Sequence, residues 1–171
     1  AMNIVKPSLI RTSADELTYH FHVMIRFEIE KALFEKSVNV KELPEMWNTK
    51  YKEYLGVDVP SDAQGVLQDI HWSHGSFGYF PTYSLGSFYA AQFYAQAKKE
   101  IPGLENEISN GNMKPLLSWL REKVHKHGRH FTSEELCIAI TGEKLNFDHF
   151  MNYANEKYSH LYKLKTSAAA V

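Results

Sequence analysis

The stretch SADELTYHFHVMIRFEIEKALFEK, residues 13–36, decides the fold class. Ser13 followed by Glu16 has the form of a capping box, in which the Ser13 hydroxyl accepts from the third helical N–H and Glu16 reaches back. Beyond it Leu17, Phe21, Met24, Ile25, Leu33 and Phe34 recur at spacings of one, three and four, which predicts an amphipathic helix to about Lys36. The pattern repeats outward. A second helix is expected over Pro44–Leu55, with proline at its first turn and Gly56 at its end, carrying Met46, Trp47, Tyr51, Tyr54 and Leu55. Towards the C-terminus, Pro115–His127 runs to Gly128, Thr132 with Glu135 caps a helix that Gly142 ends, and Asn146 caps a last helix over Phe147–Leu161. Only the middle departs from this regularity. Between Pro60 and Gly86 lie Gly65, Gly75, Gly78 and Gly86, and each glycine costs a continuous helix roughly 1 kcal/mol relative to alanine. There the expectation is a short helix over Val66–Trp72, an irregular loop to Pro81, and a helix over Ser84–Ala97, with Pro102-Gly103 as punctuation. No strand signal and no internal repeat is visible, so the fold class is all-α, a compact multi-helix array. The tail KTSAAAV, residues 165–171, carries little information and reads as frayed or vector-derived, and Ala1 ahead of Met2 reads as a remnant before a start codon.

Composition narrows the function classes. The chain has 171 residues and a mass of 19.7 kDa, enough for one domain with a sizeable core. Nineteen Lys and Arg against twenty Asp and Glu leave a net charge of −1, so there is no electrostatic case for nucleic acid or an anionic membrane. No apolar run approaches the roughly 18 residues of a membrane span. The lone Cys137 excludes an intramolecular disulfide and a cysteine-cluster metal site. Ten Tyr and ten Phe are a rich supply for this length, and point to a well-packed core or to a neighbour that covers an aromatic face.

Histidines invite a metal reading, and spacing weakens it. His20 and His22 are two apart on a helix and diverge, so they cannot chelate one ion together. His125, His127 and His130 gather at a helix C-terminus, where imidazoles favour the last carbonyls. His71 and His74 share a face if helical, but no carboxylate follows at a useful spacing, and no His-Glu-x-x-His occurs. The irregular segment is the better candidate. Gln68, Asp69 and His71 crowd into four residues, Tyr79 and Tyr83 follow with hydroxyls able to face a developing oxyanion, and glycines permit close backbone approach. The plainer alternative is a turn plugged by Trp72, Phe77, Tyr79 and Phe80. Arg11 stands in a non-helical stretch where a guanidinium can meet a carboxylate, and Arg26 lies on an apolar stretch, where pairing with Glu30 is its bland explanation. Asp15 can be a simple first-turn carboxylate.

At these residues the chain resembles a known family. IRTSAD (Ile10–Asp15) is similar to the I/V-R-x-x-A-D motif of the Taq-type thermostable metallocarboxypeptidases, and GVLQDIHW (Gly65–Trp72) to their G-x-x-Q-D-x-H-W. Similarity extends through DELTYHFHVMIRFEIE, FGYFPTYSLGSFYAAQ, LSWLREKVHKHG and ITGEKL, from about Asn3 to Leu164. The family's D-x-R-x-T, H-E-x-x-H and H-E-S/G-Q motifs, which precede these in family members, are absent. The resemblance therefore implies the C-terminal portion of a larger helical zinc-peptidase fold, over residues 3–164. It implies hydrolysis of C-terminal residues from peptides by metal-assisted water attack, with zinc or cobalt in the complete enzyme and none bound by this chain alone. It implies a cytoplasmic, homodimeric enzyme, with peptide C-termini and the absent N-terminal portion, or a second copy, as partners. Carried over by motif, Arg11 would meet the substrate carboxylate or shape the groove end, with Arg26 and Gln68 also on the substrate side. His71 would donate to substrate, Tyr79 or Tyr83 would hold the oxyanion, and Asp69 and Asp15 would orient other groups. On that reading the chain is inactive alone. Two alternatives stand beside it: a non-catalytic helical interaction or oligomerisation module, and an independent metal site from His71, His74 and a distant carboxylate.

Overall fold

A computed structural model describes residues 3–164; Ala1, Met2 and the 165–171 tail lie outside the described residues. Among the described residues there are seven α-helices, several single 3-10 turns and no strand. The helices are α1 (Tyr19–Phe34), α2 (Leu43–Leu55), α3 (Pro81–Glu100), α4 (Leu104–Ser109), α5 (Lys114–Lys123), α6 (Ser133–Thr141) and α7 (Asp148–Tyr162). The chain falls into two compact units, one up to Leu85 and the other from Gly86.

In the first unit α1 and α2 build the core from Ile25, Ile29, Leu43, Trp47, Tyr51 and Leu55. The periodicity of residues 13–36 placed the helix correctly and its start incorrectly. Ser13 does not cap it, because Arg11–Ser13 form a 3-10 turn and α1 begins only at Tyr19. Asp15 takes over. Its carboxylate accepts from the N–H of Leu17 and Thr18, both at 3.0 Å, and from the Thr18 hydroxyl, and it also holds the Lys6 N–H. A carboxylate has acceptor sites for all of these at once, and a serine hydroxyl does not. Gly56 ends α2 in the left-handed region, at φ 69°.

The expected helix over Val66–Trp72 does not form. In its place are 3-10 turns at Asp62–Gln64 and Trp72–His74, because Gln68 and Asp69 are turned towards the N-terminal segment rather than along a helix face. Gly65 has a steric reason. A Cβ there would stand 2.8 Å from Val59 Cγ1 and 3.2 Å from the Ser61 carbonyl.

The second unit packs around Ala97, Leu104, Trp119 and Ile140. Helix α3 starts at Pro81, within the first unit and earlier than the expected Ser84, and runs on to Glu100 in the second. The short α4 was not anticipated, and α5 gives way to a 3-10 turn over His125–His127 rather than continuing. The Thr132–Glu135 capping box forms, with Glu135 accepting from the Thr132 N–H at 2.8 Å. The N-cap of the last helix is Phe147 rather than the expected Asn146, whose side chain accepts the Asp148 N–H at 2.9 Å from one residue further back. Buried Gln92 ties this unit together by donating to Thr141 and the Lys144 carbonyl and accepting from the Asn146 N–H.

Candidate functional site

The site belongs to the first unit and is built on one carboxylate. Asp69 Oδ1 accepts from Arg11 Nε and Nη2, at 3.0 and 2.8 Å, and Oδ2 accepts from Arg26 Nε at 2.6 Å. Arg26 is fully buried, and its Nη1 donates to the His22 carbonyl and the Tyr51 hydroxyl. Burial alone would raise the Asp69 pKa. The hydrogen bonds and charges of the two arginines outweigh it and hold the carboxyl below its usual range. Aromatic rings lie against both guanidinium groups. Arg26 lies 4.5 Å from the Trp47 ring centroid and 5.4 Å from that of Phe80, and Arg11 lies 4.9 Å from that of Tyr83. Gln68 stitches the same loop to the N-terminal segment, accepting from the Arg11 N–H at 3.0 Å and donating to the Leu9 carbonyl at 2.9 Å.

The direction of the hydrogen bonds below this cluster follows from counting donors. The Tyr51 oxygen accepts from Arg26 and from Gln68. Its own proton therefore goes to His22 Nδ1, 2.9 Å away, and His22 carries its hydrogen on Nε2. Burial, with Arg26 and Arg11 nearby, lowers the His22 pKa to about 4, so this imidazole is neutral at pH 7.

His71 stands at the edge of the cluster. Its Nε2 is 3.0 Å from the Tyr83 hydroxyl, its ring packs 4.4 Å from Phe80 and stacks on Tyr79 at 6.0 Å, and Tyr79 and Tyr83 meet edge to face at 5.4 Å. Burial keeps His71 below the ordinary imidazole pKa against the pull of Asp69, which lies 4.0 Å from Nδ1. The result is a neutral imidazole between two phenols, with Tyr79 half exposed to solvent. Such a set can donate hydrogen bonds to a carbonyl or to the oxyanion that develops from it. It contains no activated nucleophile.

The structure gathers Arg11, Arg26, Gln68, Asp69, His71, Tyr79 and Tyr83, and leaves Asp15 in the turn that leads into α1, bonded to Leu17 and Thr18. Arg11 is not the unrestrained fork expected of a non-helical stretch, since its guanidinium is held by Asp69 and Tyr19. Nor does Arg26 pair with Glu30. Glu30 accepts instead from Trp72 Nε1 at 2.7 Å and from the Gly78 N–H at 3.0 Å. His22, Tyr51 and Glu30 are the members that motif reading passed over. For Glu30 the available signal was its place one helical turn after Arg26 on α1. The residues present do not suit a resident metal ion. Among the described residues no three His, Cys, Asp or Glu side chains gather as ligands, and both Asp69 oxygens and His71 Nε2 are engaged. His74 turns to the Ser76 hydroxyl, 3.0 Å away.

The family model for carboxypeptidase Taq (M32) metallopeptidases matches residues 1–158. The chain belongs to the M32 metallocarboxypeptidase family. It is 47% identical over 164 residues to Carboxypeptidase 1 of Bacillus subtilis, covering 96% of this chain and 33% of that protein. It is 42% identical over 156 residues to Thermostable carboxypeptidase 1 of Pyrococcus furiosus, covering 91% of this chain and 31% of the other. Among solved structures, the M32 carboxypeptidase from Deinococcus radiodurans superposes with a TM-score of 0.93 at 42% identity, over 96% of this chain and 33% of that one. Metallocarboxypeptidase 1 of Trypanosoma cruzi gives a TM-score of 0.89 at 42% identity, over 92% of this chain and 33% of its own. The chain thus spans about a third of the length of the M32 relatives it matches. No helix among the described residues is long and apolar enough to cross a membrane.

Proposed function

We propose that this chain supplies the substrate-facing portion of a metal-dependent carboxypeptidase and does not hydrolyse peptides alone. The observation that carries the reading is the His71–Tyr79–Tyr83 cluster, presented by a loop that Asp69 locks between two arginines, in a chain of M32 descent. In the complete enzyme, residues outside this chain would hold a zinc or cobalt ion and supply the general base, and the metal would polarise the carbonyl and activate water. What these residues do is bind and orient. The Tyr79 or Tyr83 hydroxyl donates to the carbonyl oxygen of the last peptide bond, with neutral His71 orienting Tyr83 through the Nε2 contact at 3.0 Å, and a preorganised donor of this kind commonly lowers the barrier by about 3 kcal/mol. Arg11 shapes the end of the groove through Asp69 and the Tyr83 ring, since its own fork is already engaged. The reading carries with it a cytoplasmic homodimer acting on peptide C-termini.

The test is release of C-terminal residues from short peptides, with zinc or cobalt added. The expected outcome is no metal-dependent release by the chain alone, and robust release overturns the claim of inactivity.

A second reading, a non-catalytic interaction or oligomerisation module, draws on one observation. Phe21, Met24, Phe27 and Phe34 of α1 are exposed, and Phe34 is 70% accessible. In the first reading this face belongs against the N-terminal portion. Light scattering separates them, because a strict monomer at high concentration counts against the module.

A further inference from the structure

Two successive turns of α1 grip the site loop with charges of opposite sign. Arg26 and Glu30 are four residues apart, about 6 Å along the helix axis, and share its loop-facing side. Arg26 holds Asp69, two residues before His71, and Glu30 holds the Trp72 indole N–H, one residue after it. The second Glu30 oxygen accepts the N–H of Gly78, whose φ of 75° turns that amide inward just ahead of Tyr79. Glu30 is only 3% exposed, and a carboxylate in such a place is tolerated only when its oxygens are satisfied. Both are, and both by the loop. Glu30 lies in neither family motif.

We propose that Glu30 is a positioning residue for the site, which clamps residues 72–78 so that His71 and Tyr83 meet at hydrogen-bond distance. The loop contains three glycines within Gly65–Gly78 and no α-helix, so its backbone supplies little stiffness of its own. Arg26 and Asp69 fix one end. Without the Glu30 bonds, what remains is ring packing of Trp72 on Trp47, Phe77 and Phe80, which is non-directional and lets the Trp72–His74 turn pivot about the Asp69 attachment and carry the His71 ring away from Tyr83. The sign alternation also sets the register. An acidic group on α1 opposite Asp69, or a basic one opposite the indole N–H, would repel, so only one alignment of loop on helix satisfies both pairs.

The inference rests on the reading of His71 and Tyr83 as the substrate-facing pair, and its test uses neither peptide nor metal. Failure of one is therefore distinguishable from failure of the other. The labelled chain is compared by NMR with two variants. Glu30→Gln keeps the volume but sets an amide NH2 where one acceptor stood, and Trp72→Phe removes the indole donor while keeping an aromatic ring, smaller than the indole, against Trp47, Phe77 and Phe80. The Gly78 amide exchange rate and the Trp72 Nε1–H resonance report the clamp. Ring–ring contacts of His71 with Tyr83 and the His71 titration midpoint report the site. In Glu30→Gln we expect Gly78 exchange to rise about tenfold, as befits loss of a charged-acceptor hydrogen bond. The His71–Tyr83 contacts should be lost, the His71 midpoint should move up towards that of a free imidazole, and the His22–Tyr51 contacts should be unchanged. Trp72→Phe should weaken the His71–Tyr83 contacts in the same sense. Persistence of the His71–Tyr83 contacts and midpoint after the Gly78 bond is gone overturns the proposal. Should Glu30→Gln also lose the His22–Tyr51 contacts, the decision passes to Trp72→Phe, where unchanged His71 contacts overturn it equally.

Discussion

Asp69 is where a single side chain matters most, because it neutralises a guanidinium with no access to solvent. Surface pairs offer the contrast. Lys31 and Glu35 are both about 60% exposed at 3.7 Å, and such a pair contributes at most about 0.5 kcal/mol. Removing the charge at Asp69 instead strands Arg26 in the interior, for which the cost is about 3 kcal/mol. Urea unfolding of Asp69→Asn should therefore show a large fall in midpoint, and Lys31→Ala almost none. Histidine 22 adds a pH dependence with a definite sign. Its folded pKa is about 4, below the ordinary value near 6.5, so between those values the unfolded chain binds a proton that the folded chain refuses. The stability this contributes is complete above pH 6.5 and is lost as pH falls towards 4. Asp69, also lowered, loses its contribution only below its own ordinary range. A urea midpoint measured from pH 7 to pH 4.5 should decline, and a level profile would contradict the assignment. The donor count that places the His22 hydrogen on Nε2 is checked by the nitrogen shifts of its ring.

Loops and caps decide how elements end and where the site is held. Gly65→Ala places a methyl against Val59 and the Ser61 carbonyl, and the resulting overpacking should cost about 1–3 kcal/mol in thermal or urea unfolding. Thr132→Ala removes a formed capping box on an exposed helix start, for which about 1 kcal/mol is expected. The two capping boxes read from sequence had opposite outcomes, and the difference is physical. Thr132–Glu135 has no stronger local competitor. Ser13–Glu16 has one in Asp15, whose carboxylate binds more donors and moves the helix start downstream. The Val66–Trp72 helix failed for a related reason. Gln68 and Asp69 find partners 57 to 59 residues away at Leu9 and Arg11, and those bonds outweigh local helix propensity.

At the scale of the molecule, each unit has its own aromatic anchor. Truncating Trp47 in the first or Trp119 in the second should cost about 3–5 kcal/mol, read as loss of amide protection in the core that holds it. A change under about 1 kcal/mol for either would mean the core closes round the gap. The chain's aromatic richness goes to the two cores, to the Tyr79, Phe80 and Tyr83 rings of the site, and to the exposed Phe21, Phe27 and Phe34 of α1. Periodicity and capping residues determined by themselves that the chain is all-α and where most helices run, because helix signals are local and repeat every few residues. The two motifs likewise determined which side chains to watch. Only the tertiary structure decided what those side chains do to one another. That Arg11 and Arg26 share Asp69, that Arg26 ignores Glu30, and that Glu30 closes on Trp72 and Gly78 all depend on contacts between residues 42 to 58 positions apart. An ion pair at four residues is written in the helix repeat. One across forty is settled by which charge the fold brings within 3 Å, and by the cost of leaving a buried one unpaired.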